Sequence, residues 1–216
     1  MNLFIVSSLG HPIMAKNTSD IILRDRMQFT LDGTGSLTTL YGRIDLSQYV
    51  SPVSRTGISV KEIRFMLRNP TSGSATAAMA NTGAFQLVAN DAVSGNDPEF
   101  SCVKVYATTR AYENASDVGI ASPDVLCVYE LQSSVSRSPD AAQQGEMVVT
   151  HENWYGPEDL HPEGYTVVSD LLIGVAVDKW TLANDDVLEL DVLIVAEPIK
   201  VTESRLNEIL SQGLDL

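Results

Sequence analysis

Leu188, Leu190, Val192 and Ile194 recur at every second position, and residues 171–177 (Leu-Leu-Ile-Gly-Val-Ala-Val) are apolar or small on both alternations. A period of two is that of a β-strand, whose successive side chains point to opposite faces. Residues 187–196 therefore predict a strand with one face on a core. Their other alternation begins with Glu189 and Asp191 and ends with Leu193 and Val195, so half of the outer face wants a cover. Residues 171–177 predict a central strand covered on both sides. The same period recurs in Met27, Phe29 and Leu31, in Leu40, Gly42, Ile44 and Leu46, and in Ile63, Phe65 and Leu67. Residues 85–89, 102–107, 125–131 and 147–150 are further candidates.

Long Ser/Thr/Gly/Asn-rich connections separate these runs, at 70–84, 91–99, 132–145 and 151–169. Parallel strands need crossover connections, usually helical, and none is evident. The fold expected is all-β: an antiparallel β-sandwich or jelly roll of about eight or nine strands with a short C-terminal helix. That helix follows Thr202 as N-cap, presents Leu206, Ile209 and Leu210 as a narrow stripe, and closes at Gly213. It is too short to stand alone, so its stripe must dock. The division expected is an N-terminal arm over 1–20, one sandwich domain over 21–200 and a helical tail over 201–216.

The net charge of −14 is unevenly placed: residues 1–110 carry ten Lys/Arg and eight Asp/Glu, residues 111–216 four and twenty. Phosphate binding rests on Lys and Arg, so the second half is excluded as a nucleic-acid surface. Contact with a polyanion is expected only through Arg24, Arg26, Arg43, Arg55, Lys61, Arg64 and Arg68. Arg24 and Arg26 share one strand face, as do Arg64 and Arg68. The plainer expectation is a solvated face with weak local pairs such as Arg43 with Asp45.

No pattern for chemistry emerges. His11, His151 and His161 match no zinc motif, Asp32-Gly33-Thr34-Gly35 lacks the P-loop lysine and reads as a hairpin turn, and no G-x-S-x-G elbow occurs. The acidic stretch 151–163 reads as a solvated loop with Trp154 and Tyr155 as packing anchors and lacks the spacing of an EF-hand; the alternative is that the cluster of His151, Glu152, Glu158, Asp159, His161 and Glu163 supplies carboxylates to a calcium ion or serves as a pH-sensitive contact. Cys102 and Cys127 read as buried free thiols, and Asn114-Ala115-Ser116 and Asn17-Thr18-Ser19 as chance glycosylation patterns. No apolar run approaches the length of a membrane span, and no signal peptide is expected. The chain is expected to be no enzyme, with no catalytic residues, no cofactor and no metal.

Ile44-Asp45-Leu46-Ser47-Gln48-Tyr49-Val50, a Pro/Ser-containing loop and then residues 58–69 resemble the early strands of single jelly-roll capsid proteins of small icosahedral viruses. The likeness covers about a quarter of the chain. It implies a structural virion protein that self-assembles into an icosahedral shell, with copies of itself and other virion proteins as partners. Capsid arms that package genomes are often rich in Arg and Lys; residues 1–20 hold only Lys16. The alternative is a jelly-roll carbohydrate- or ligand-binding module of lectin or adhesin type, for which Tyr112, Trp154, Tyr155 and Trp180 would be the loop-tip aromatics.

Overall fold

The computed structural model describes residues 19–68, 99–137, 146–160, 164–180 and 185–212. Residues 1–18 of the arm, the candidate strand at 85–89, His161, Glu163 and Gly213 lie outside them. Among the described residues there are nine strands: β1 (Ile21–Thr30), β2 (Leu37–Ile44), β3 (Thr56–Arg68), β4 (Glu99–Thr108), β5 (Val125–Arg137), β6 (Glu146–Tyr155), β7 (Tyr165–Val167), β8 (Leu171–Asp178) and β9 (Val187–Lys200). Two helices join them, α1 (Pro157–Leu160) and α2 (Glu203–Gln212).

The strands form a four-stranded sheet in the order β1-β9-β3-β7 and a five-stranded sheet in the order β2-β8-β4-β5-β6. All pairings are antiparallel. With β6 set aside, the pairs nest: β1 with β9, β2 with β8, β3 with β7, and β4 with β5 innermost. A long double ribbon wound over itself leaves this signature, and it is that of a jelly roll.

Hydrophobic period builds the interior. Leu188, Leu190, Val192 and Ile194 of β9 meet Phe29 of β1, Ile63 and Leu67 of β3, Val103 and Val105 of β4 and Ile173 and Val175 of β8 in one apolar cluster between the sheets. Ile194 is 1% exposed, and burying an aliphatic side chain of that size contributes ~1.5–3 kcal/mol. At the flank where β1 and β2 meet, the Met27 thioether lies over Gly42.

Two surfaces are covered from outside. Residues 109–124 fold across the outer face of the five-stranded sheet, where Ala115 and Val118 pack with Tyr106, Val125 and Val128. Lys104, reaching out of β4, donates to the Ala115 and Val118 carbonyls at 3.0 and 2.6 Å and pairs with Glu130 at 2.9 Å, so one ammonium pins the covering loop. Asn114, read from the sequence as part of a chance glycosylation pattern, accepts the Ser116 N–H at 3.0 Å and caps the 3-10 turn Ala115–Asp117. Elsewhere α2 lays Leu206 and Ile209 on Val168, Ile199 and Val201, and the Arg205 N–H donates to Thr202 Oγ1 at 3.3 Å, as the capping pattern predicts.

Three expectations need correction, one of them the 132–145 connection, of which residues 132–137 belong to β5. Asp32-Gly33-Thr34-Gly35 is a tight turn but joins no hairpin, because β1 and β2 belong to different sheets. Its geometry comes from Asp32 Oδ1, which accepts from the Thr34 hydroxyl (2.6 Å), the Thr34 N–H (2.8 Å) and the Ser36 N–H (2.9 Å), with Gly35 at φ 72°. These bonds hold the Asp32 carboxyl below its ordinary pKa. The stretch 151–169 is not one loop: it holds the end of β6, α1 and β7. β6 escaped sequence reading past Thr150 because residues 149–154 are exposed on both faces, which erases alternation.

Candidate functional site

Among the described residues the space between the sheets is occupied by apolar side chains, and the charged and exposed apolar groups lie on the outer faces and edges. On the outer face of the four-stranded sheet, β1–β9–β3 registers place three rows across the strands: Ile22, Val195 and Glu62; Arg24, Leu193 and Arg64; Arg26, Asp191 and Met66. A fourth row sets Gln28, Glu189 and Arg68 side by side. Leu193 and Val195 remain half-buried here, with Ile22 37% and Met66 44% exposed around them. The outer face therefore has an apolar centre between charged residues, while its far end is an ion-pair network.

That network absorbs much of the basic stripe. Arg26 reaches Asp191 at 2.5 Å and Glu189 at 3.8 Å; Arg68 reaches Glu189 at 3.2 Å and Asp191 at 3.5 Å. Gln28 adds a 2.9 Å hydrogen bond to Glu189. Arg64 pairs with Glu62. Lys61, at the β3 bulge, contacts Asp20 and Glu197, each at 2.7 Å, and these carboxylates raise its pKa. Arg24 makes no ion pair among the described residues.

The remaining two cations lie apart. Arg43 sits on β2 in the other sheet and bonds Asp170 at 2.6 Å, and Arg55 occupies a turn, at φ 54°, 3.0 Å from Glu203 of α2. The seven residues do not form one patch. The local pairs expected of a solvated face are present, though Arg43 takes Asp170 in place of Asp45. A sequence signal for this existed: Glu189 and Asp191 alternate outward on the strand that β1 and β3 flank, but their neighbours become visible only once strand order is known.

The aromatic candidates disperse as well. Trp180 is 2% exposed, inside the core cluster. Tyr112 is tethered inward, its N–H donating to Tyr41 Oη at 2.7 Å and its carbonyl accepting from that hydroxyl at 3.0 Å. Trp154 packs edge-on against Phe65 (6.0 Å between centroids) and against Tyr129 (6.2 Å), with 42% exposed. Burial and Glu152 together push the Tyr129 hydroxyl up to about 12.

No group of three or more His, Cys, Asp or Glu that could hold a metal ion occurs among the described residues. In the acidic stretch, Asp159 accepts the Gly156 N–H at 2.9 Å. Cys127 is fully buried and Cys102 half-buried, and desolvation raises the Cys102 thiol to about 11. No helix among the described residues is long and apolar enough to cross a membrane.

No protein-family model matches the chain, and no curated protein matches it. Comparison with solved structures does return likenesses to viruses. A chain from Desmodium yellow mottle tymovirus is 10% identical over 94% of each chain, with a TM-score of 0.27. One from turnip yellow mosaic virus is 9% identical over 94% of each, with a TM-score of 0.26, and another, from that virus at 100 K, is 9% identical over 86% of this chain and 99% of its own, with a TM-score of 0.24. At these TM-scores the likeness carries no argument, and the fold rests on the strand pairing itself.

Proposed function

We propose that this chain is a structural virion protein, a capsid subunit that assembles with copies of itself into an icosahedral shell. Jelly rolls serve in viral capsids, lectins and cupins. The observation that carries this reading is the outer face of the four-stranded sheet: Leu193 and Val195 half-buried, Ile22 and Met66 exposed, and charged side chains around them. An apolar centre with a polar rim is the anatomy of an association surface. The packed interior supports the same reading, since a binding role would need its polar groups elsewhere. Burial of Trp180 and the tethering of Tyr112 favour assembly over the lectin-like alternative. The proposed divisions are an arm over 1–20 that engages neighbours, the sandwich over 21–200 and a tail over 201–216 whose apolar stripe docks on its own chain. Nucleic acid, if met at all, would be met through the first half of the chain.

Sedimentation and negative-stain imaging of the purified full chain test this. Closed shells or discrete oligomers are expected. Assembly should be weakest at low salt, because residues 111–216 carry twenty acidic groups against four basic ones and like charges oppose association. A monomer at every protein and salt concentration overturns the reading.

A further inference from the structure

Among the described residues the sandwich has four strand edges, and three of them are blunted. β7 is three residues long. β2 shifts register between Leu37 and Leu40. β1 sets three charges in succession, Arg24, Asp25 and Arg26, of which Asp25 takes the core-facing alternation. Short strands, irregular register and inward charges are the usual protections against edge-to-edge pairing.

β6 is neither short nor irregular, and its one core-facing charge past Glu146 is Glu152, opposite Leu131. It runs ten residues in unbroken register with β5, from Val128 opposite Tyr155 to Arg137 opposite Glu146. Residues 149–154 are exposed on both faces, with Val149 and Trp154 each 42% exposed. Past Glu146, Glu152 is its only carboxylate. Its outer edge presents backbone donors and acceptors that no strand among the described residues takes up.

We infer that β6 pairs antiparallel with β6 of a second copy across a twofold axis at His151, joining two five-stranded sheets into one. This rests on the reading that copies associate. Directly opposed residues of an antiparallel pair share a face, so the dyad must fall on a residue. A dyad at Val149 sets Glu146 against Glu152, and one at Glu152 sets that residue against itself; opposed like charges are unfavourable. A dyad at Thr150 places position 148, a valine, opposite Glu152, with no donor for the carboxylate. A dyad at His151 places Thr150 opposite Glu152, twice by symmetry, and Val149 opposite Asn153. Each carboxylate then faces a hydroxyl donor, and no like charges meet.

Cysteine cross-linking of the full chain tests this in a Cys102→Ser background, where the remaining thiol, Cys127, is buried. Opposed Cα atoms in antiparallel pairs lie about 4.5–5.5 Å apart, within disulfide reach. His151→Cys should shift to a covalent dimer on a non-reducing gel under mild oxidation. Val149→Cys and Asn153→Cys should each stay uncrosslinked alone and cross-link when mixed. His151→Lys should weaken association several-fold at low salt while leaving the circular dichroism spectrum unchanged. Oligomers in solution with no His151→Cys disulfide overturn the β6 pairing and leave the assembly reading intact; a monomer under all conditions overturns both.

Discussion

Gly174 of β8 lies directly beneath the Tyr106 ring of β4: a Cβ at position 174 would overlap that ring, 2.7 Å from its hydroxyl oxygen. Tyr106 is 0% exposed and has no room to retreat. Gly174→Ala is therefore expected to destabilise by roughly 1–3 kcal/mol through overpacking, read as a lower denaturant midpoint with unchanged slope. An unchanged midpoint would mean that the covering loop yields.

The Tyr106 hydroxyl meets Tyr41 Oη at 2.8 Å, and Tyr41 also serves both backbone groups of Tyr112. One phenol thus fastens residues 109–124 to the sheet. Tyr41→Phe leaves a buried hydroxyl and two backbone groups without their partner, and a cost of about 2 kcal/mol is expected. Hydrogen exchange should speed up at residues 109–124 and not in β9. Uniform acceleration would instead indicate global weakening.

Arg68 and Arg64 are expected to behave differently on charge reversal. Arg68, with its side chain 14% exposed, sits between two carboxylates, so Arg68→Glu should cost roughly 3 kcal/mol and depress the melting temperature. Arg64, 74% exposed, should tolerate the change within about 0.5 kcal/mol. With six of the seven cations in ion pairs, retention on a heparin column should vanish near ~0.15 M salt. Firm retention there, lost in Arg24→Glu, would establish a polyanion surface.

The Lys61 cluster predicts a contribution to stability that is lost toward both ends of the pH scale. Hydrogen bonds to Asp20 and Glu197 raise the Lys61 pKa, so its contribution is complete below the ordinary lysine value and is lost as pH rises through the raised one. The Glu197 pKa is lowered by Lys61 and then Ser19, so its contribution is present above the ordinary carboxylate value and is lost as pH falls through the lowered one. The melting-temperature gap between wild type and Lys61→Met should be flat from about pH 6 to 9 and shrink toward both extremes. A gap independent of pH throughout would assign it to packing of the lysine stem.

Sequence showed what period alone can show. Residues 171–177 read as covered on both sides, and β8 indeed has the core on one face and Tyr106 and Tyr41 over Gly174 on the other. Leu193 and Val195 read as wanting a cover, and they stand half-buried on an outer face. β7 escaped because three residues are too few to display a period, and α1 because four residues make barely one turn. The basic stripe read correctly as shared faces, yet its neutralisation depended on Glu189 and Asp191, contributed by a strand far along the chain. Strand order, not composition, decided that Arg68 is a structural cation.

The nesting of the strands also sets a timetable. The Ser19 hydroxyl bonds Glu197, 178 residues later, and β1, the earliest described strand to be synthesised, has β9 as its one hydrogen-bonded neighbour among the described residues. Such long-range closure is entropically slow, and here it cannot even begin until β9 has been made. Ile22, Leu193 and Val195 come together only at that moment, so this apolar outer face does not exist before β9 is complete. A ribosome carrying this polypeptide therefore shows no Ile22–Leu193–Val195 surface until β9 has emerged, and nascent chains on one message are kept from meeting through it before then.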